Sequence, residues 1–179
     1  MKSNFFIFCL HLLSLGSVGQ QVENTSFTNS GGERVLRLEA VLPVDIKAAW
    51  KLFTTDEGLQ KWIAPVAHIE LKTGGYIVTN YDKMAKLTDS TSIKLPVINF
   101  LDGEMIVLKV NLNNNFTESV RQSDQNLQEI IQLKKIDGTH TKIISTMVGF
   151  GEGNDWNKTY DFFVKGNIWT YKELLQHYR

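Results

Sequence analysis

The sequence predicts an α+β fold: a curved antiparallel sheet wrapped around one long C-terminal helix, with two short helices after the first strand. Three observations predict it. Several short runs alternate apolar and polar residues, as half-buried strands do. Gly-Gly and Asp-Gly dipeptides join those runs, and these are hairpin turns rather than the helical crossovers of a parallel sheet. The last segment, about Asp155 to Tyr178, repeats apolar residues at i, i+3, i+4 and i+7.

The first strand is Arg34 to Leu42, RVLRLEAVL, and Pro43 ends it. Either Asp45 then acts as an N-cap, or Pro43 sits in the first turn of the next helix. Ala48, Ala49, Trp50, Leu52 and Phe53 give a short amphipathic helix, and Thr54-Thr55-Asp56-Glu57 restarts a second one carrying Leu59, Trp62 and Ile63. Pro65 stops it. Val66 to Lys72 and Tyr76 to Tyr81 form a hairpin around Gly74-Gly75, and Lys83 to Leu95 reads as a polar loop. Val97 to Leu101 and Met105 to Leu112 flank Asp102-Gly103. Leu127 to Ile136 and Thr139 to Phe150 flank Asp137-Gly138, and Asn113 to Asp124 between these pairs is loop with room for a helical turn. On the final helix Tyr160, Phe163, Val164, Asn167, Tyr171, Leu174, Leu175 and Tyr178 form one face. At ~1.5 Å per residue that helix is ~36 Å long, enough to cross a whole sheet. Gly166 within it costs about 1 kcal/mol against Ala, which points to a close approach or a bend.

The 179 residues suit a single domain with a core of its own. The formal net charge is zero, which argues against a nucleic-acid partner. Residues 1–19, MKSNFFIFCLHLLSLGSVG, carry one Lys, an apolar run from Phe5 to Leu15, and Ser17 and Gly19 at the small-x-small cleavage places. They are expected to be a cleaved signal peptide, with the protein exported to the periplasm or secreted. The run is far short of the ~20 residues that span a bilayer. Cleavage removes Lys2 and Cys9, leaving one net negative charge and no cysteine, hence no thiol nucleophile and no Cys-based zinc site. Residues 20–33 are polar and Ser/Asn/Gly-rich, so a flexible lead-in is expected before a domain at 34–179.

The segment AAWKLFTTDEGLQKWIAPVAHIELKTGGY resembles the opening of the START-like (SRPBCC) superfamily, in the branch named after the homology domain of a chaperone-ATPase activator. The residues that carry the resemblance are Ala49, Phe53, Thr54, Asp56, Leu59, Trp62, Glu70, Gly74 and Gly75. Trp156 to Tyr178, with Gly166, Trp169 and Leu174-Leu175, resembles the closing helix, so the likeness spans Arg34 to Tyr178. It implies a helix-grip fold with a cavity between sheet and helix. Relatives bind lipids, hormones or polyketides there, and a few catalyse cyclisation or hydrolysis. The chain departs from the branch twice: the branch is mostly intracellular while residues 1–19 predict export, and the polar stretch Lys83 to Leu95 alters the region of the cavity mouth.

His68 and Glu70, two apart on a strand, invite a catalytic reading as base and orienting acid. Strand parity argues otherwise. If Ile69 and Leu71 face the core, His68 and Glu70 face out, and the reverse would expose two large aliphatics at ~1.5–3 kcal/mol each. His68, His140 and His177 show no metal-ligand spacing, and no cofactor fingerprint occurs. GFGEGNDW follows a hairpin strand, so its glycines release the chain into the last helix rather than cradle a phosphate. No metal, cofactor or catalytic set is therefore expected. The expected cavity residues are Trp62, Tyr76, Phe100, Met105, Phe163, Asn167 and Tyr171, with Met147 and Trp169 as further wall candidates; Asn167 interrupts an apolar stripe and needs a partner. The leading expectation is a monomer that binds a small apolar molecule without catalysis. The alternatives are a cyclase- or hydrolase-like enzyme using His68, Glu70 and Asn167, and a chaperone-ATPase regulator.

Overall fold

The computed structural model of the protein describes residues 21–178; the expected signal peptide at 1–19 lies outside the described residues. Two very short strands come first, β1 (Glu23–Asn24) and β2 (Phe27–Thr28), then β3 (Arg34–Leu42). Next come helices α1 (Ile46–Thr54) and α2 (Asp56–Gln60), and strands β4 (Val66–Glu70), β5 (Tyr76–Asn80), β6 (Ile93–Leu101) and β7 (Met105–Lys109). The short helix α3 (Glu118–Ser123), strands β8 (Gln128–Lys135) and β9 (Thr141–Val148), and the long helix α4 (Asn154–Gln176) complete the chain.

Every strand pairing is antiparallel, in the order β1-β3-β9-β8-β7-β6-β5-β4, with β2 beside β1 on β3. Strands β4 to β9 form one meander, and the first long strand, β3, closes onto the last, β9. The curved sheet holds α4 against its concave apolar face, and α1 and α2 connect β3 to β4, with α1 packed toward β8 and α2 against β4. Leu36, Leu38 and Leu42 of β3, Ile143 and Met147 of β9, Ile106 and Leu108 of β7, and Leu174 and Leu175 of α4 are all buried.

The local signals account for these elements. Asp45 caps α1 by accepting from the backbone N–H groups of Lys47 and Ala48, and the Thr55 hydroxyl caps α2 by accepting from Gly58. Gly58 packs α2 so tightly on α1 that a Cβ there would stand 2.1 Å from the Lys51 carbonyl oxygen. At the end of β9, Gly149 adopts φ +89°, and a Cβ there would sit 2.4 Å from the Asn126 carbonyl oxygen.

Residues 21–33 are not a flexible lead-in: they pair along β3, with Glu23 opposite Glu39 and Phe27 opposite Val35. Thr25 donates its hydroxyl hydrogen bond to Glu39, and Ser26 Oγ accepts from the Arg37 N–H. Their polar side chains face water while their backbone covers an edge that β3 would otherwise leave open. Strand β6 starts at Ile93, earlier than the sequence pattern suggests, and runs through Pro96. Val97 exchanges hydrogen bonds with Gly74 and Gly75, so alternation turns the Pro96 nitrogen to the other side, where the ladder with β7 ends at Val97.

Candidate functional site

A cavity of about 420 Å³ lies between the sheet and α4. Its sheet wall follows from parity and register. Ile77 and Thr79 of β5, Leu95 of β6, Leu108 of β7, Glu129 and Ile131 of β8 and Met147 of β9 all point to the concave face. Its helix wall is Phe163, Gly166, Asn167, Thr170 and Tyr171, one continuous stripe of α4. Phe53, Leu59, Trp62 and Ile63 from the α1–α2 region close one end, while Tyr81, Thr91 and the 111–116 loop border another. The stretch after β5 thus does shape the cavity border, held there by Asn80, whose side chain donates to the Thr91 and Ser92 hydroxyls.

Trp62, Phe163, Asn167 and Tyr171, expected as cavity residues, all line it, and so does Met147. Trp62 is buried, donates its indole N–H to the Leu52 carbonyl at 3.0 Å, and stacks on Tyr171 at 5.6 Å between ring centres. Phe163 stacks on Phe116 at 5.5 Å. The Asn167 amide donates to the Met147 sulfur at 3.3 Å, a weak acceptor. Gly166 brings no close approach: a Cβ there would meet nothing within 4 Å, and the missing side chain adds to the cavity instead.

Tyr76, Phe100 and Met105 are not among the lining residues. Tyr76 and Met105 have the wrong parity. Tyr76 sits opposite Glu70 on the convex face, under the Lys94 ammonium at 3.8 Å, and Met105 sits opposite Gln132. The register shift between Val97 and Asn99 turns Phe100 to the side of Ile106, where it packs against the core outside the cavity lining. Trp169 is exposed on the outer side of α4.

His68 and Glu70 lie outside the cavity too. Burial alternates along β4, with Ala67 and Ile69 buried and His68 and Glu70 half-buried. His68 pairs with Asp56, and Glu70 with Lys72 at 2.6 Å. The trio His68, Glu70 and Asn167 is not brought together. Among the described residues no group of three or more His, Cys, Asp or Glu could hold a metal ion, and no helix is long and apolar enough to cross a membrane.

The residue that sequence reasoning missed is Glu129. It faces the cavity from β8, where Ser145 Oγ donates to its Oε1 at 2.7 Å and the Tyr171 hydroxyl donates to the same atom at 3.4 Å. Burial pushes its carboxyl above the ordinary 4.5, although both hydrogen bonds pull it down. Burial and the adjacent Glu129 charge together push the Tyr171 phenol well above its ordinary range, so it stays a neutral donor. The strand reads QEIIQLKK, with polar residues on both faces, and no local signal marks Glu129.

No protein-family model matches the sequence, and no curated protein matches it at a significant level. Solved structures do match the fold. Protein MLL2253 from Mesorhizobium loti superposes with a TM-score of 0.62 at 14% identity, over 80% of this chain and 95% of that one. CalU16 from Micromonospora echinospora gives 0.59 at 10% identity, over 90% and 84% of the two chains. The Aha1 dimer from Colwellia psychrerythraea, a solution structure, gives 0.51 at 15% identity, over 74% and 92%. In its sequence motifs and in its architecture alike, the chain has the START-like, helix-grip fold, which it shares with Aha1.

Proposed function

We propose that the protein binds a small apolar molecule in the cavity between sheet and α4, as an exported monomer and without catalysing its conversion. The observation that carries this is the cavity itself. About 420 Å³ of space walled mainly by Trp62, Phe163, Leu108, Ile131 and Met147 falls within the range of small-molecule sites, roughly 300–1,000 Å³. A closed core would fill such space, because interiors pack to crystal-like density and voids are destabilising. Polar side chains such as Thr79, Asn111, Glu129 and Asn167 reach it among the apolar walls, which suits orientation of a polar function on an otherwise apolar ligand. The leader pattern of residues 1–19 supports export.

The catalytic alternative has less support, since two of its three suspects lie on the convex side. A chaperone-regulator role draws on the fold likeness to Aha1. The cavity reading draws on a feature of this chain's own residues. Trp62 is the one tryptophan among the lining residues, so its emission reports occupancy. Titration with medium-chain alcohols is expected to shift that emission saturably and to raise the melting temperature. Absence of both responses across a series of chain lengths would remove the proposal. Sizing with light scattering is expected to give the mass of one chain.

A further inference from the structure

Glu129 brings a carboxyl group to the cavity, and among the lining residues it has no basic partner. No Lys, Arg or His lines the space, nor does any second carboxylate. The other titratable lining groups are Tyr81, which is largely exposed, and the buried Tyr171; both phenols lie above their ordinary range, so they remain uncharged. Ser145 and Tyr171 both donate to Oε1, while Oε2 has no hydrogen-bond partner among the described residues. Glu129 is half-buried with Oε2 open to the cavity; a carboxylate drawn into a mainly apolar pocket is costly unless a cation or several donors meet it, and among the described residues none meets Oε2.

We infer that the cavity's ligand is an apolar amine, whose body packs on the aliphatic and aromatic walls and whose ammonium group meets Glu129 Oε2. This rests on the reading of the cavity as a ligand site and names the chemical class that the site takes. The geometry favours a cation in two ways. The ammonium supplies the donor that Oε2 lacks and the counter-charge that the carboxylate lacks. The stacked rings of Trp62 and Tyr171, the latter bonded to Glu129, add aromatic surface that attracts cations. A fatty acid of the same length would bring a second carboxylate into a space with no basic residue, and like charges repel there. An alcohol would supply a donor but no charge.

The test compares octylamine, octanol and octanoate at neutral pH, all below their aggregation concentrations, by calorimetry and by tryptophan emission. The amine is expected to bind at least about tenfold tighter than the alcohol, and the acid weakest. Glu129→Gln keeps an oxygen for Ser145 and Tyr171, and is expected to bring amine and alcohol to within a few-fold of each other. If octanol or octanoate matches octylamine in the wild type, or if the amine preference survives in a folded E129Q protein, the amine assignment is wrong while the cavity reading stands. If none of the three binds, both fail.

Discussion

Asp56 holds two neighbours in β4 at once. One carboxylate oxygen accepts from the Ile69 backbone N–H at 2.8 Å, and the other lies 2.8 Å from His68 Nδ1. Asp56 opens α2, so this pair of bonds fastens the short helix to the edge strand of the sheet. His68 therefore has a structural partner on the outside of the fold, and its proximity to Glu70 along the strand has no chemical counterpart.

Replacing Asp56 with Ala is expected to cost about 1–3 kcal/mol of stability, because the Ile69 N–H loses its acceptor. Replacing His68 with Ala leaves that bond in place and is expected to cost less than about 1 kcal/mol, as the pair is nearly half exposed. Urea denaturation measures both. Neither change is expected to alter the tryptophan response to octanol, since neither residue lines the cavity; a lost response in folded H68A would return His68 to the site.

Glu129 sets a pH dependence whose sign follows from its raised pKa. Between the ordinary 4.5 and the higher folded value, the folded state keeps the proton that the unfolded chain has released. The unfolded state then binds fewer protons, so stability falls as pH rises through that window. Glu39, held low chiefly by Lys142, acts oppositely and loses its contribution as pH falls. Wild type and E129Q compared by urea midpoint from acid to neutral pH are expected to diverge above 4.5, in favour of E129Q. Parallel curves would show that Glu129 ionises at no cost.

Gly166 to Ala is expected to stabilise the protein by up to about 1 kcal/mol, by removing a glycine from a helix interior where a Cβ meets nothing. Gly166 to Leu would project into the cavity and is expected to weaken binding of octanol while the fold persists. Thermal melts with and without octanol separate the two effects.

Trp62 to Ala removes a buried indole that packs on Phe53 and Tyr171 and closes one end of the cavity. A loss of about 3–5 kcal/mol is expected. Trp62 to Phe keeps much of the packing and loses the bond to Leu52, so a smaller loss is expected. Chemical denaturation ranks the two, and equal losses would show that the hydrogen bond outweighs the ring packing.

Much of the fold is legible in the sequence because its signals are local. Asp45 and Thr55 announce their helices by capping chemistry, Gly74-Gly75 and Asp102-Gly103 announce their turns, and the α4 stripe follows from a period that needs no partner. Phe163, Asn167 and Tyr171 could be named as cavity residues for the same reason, since they belong to a helix whose inner face is set by periodicity, and Trp62 lies in the turn that directly follows α2. The strands behave differently. Which face of a strand looks inward depends on register with its neighbours: a single shift near Val97 turns Phe100 to the inner side without making it a lining residue, while parity alone puts Tyr76 and Met105 outside. Glu129 carries no mark in QEIIQLKK, and only the pairing of β8 with β7 and β9 turns it toward α4. The sequence by itself determined the elements and the helix-grip order, because caps, turns and periods act between near neighbours. Only the tertiary structure decided the chemistry of the cavity, because Glu129 meets Ser145 and Tyr171 only when strands and a helix distant in sequence gather around it.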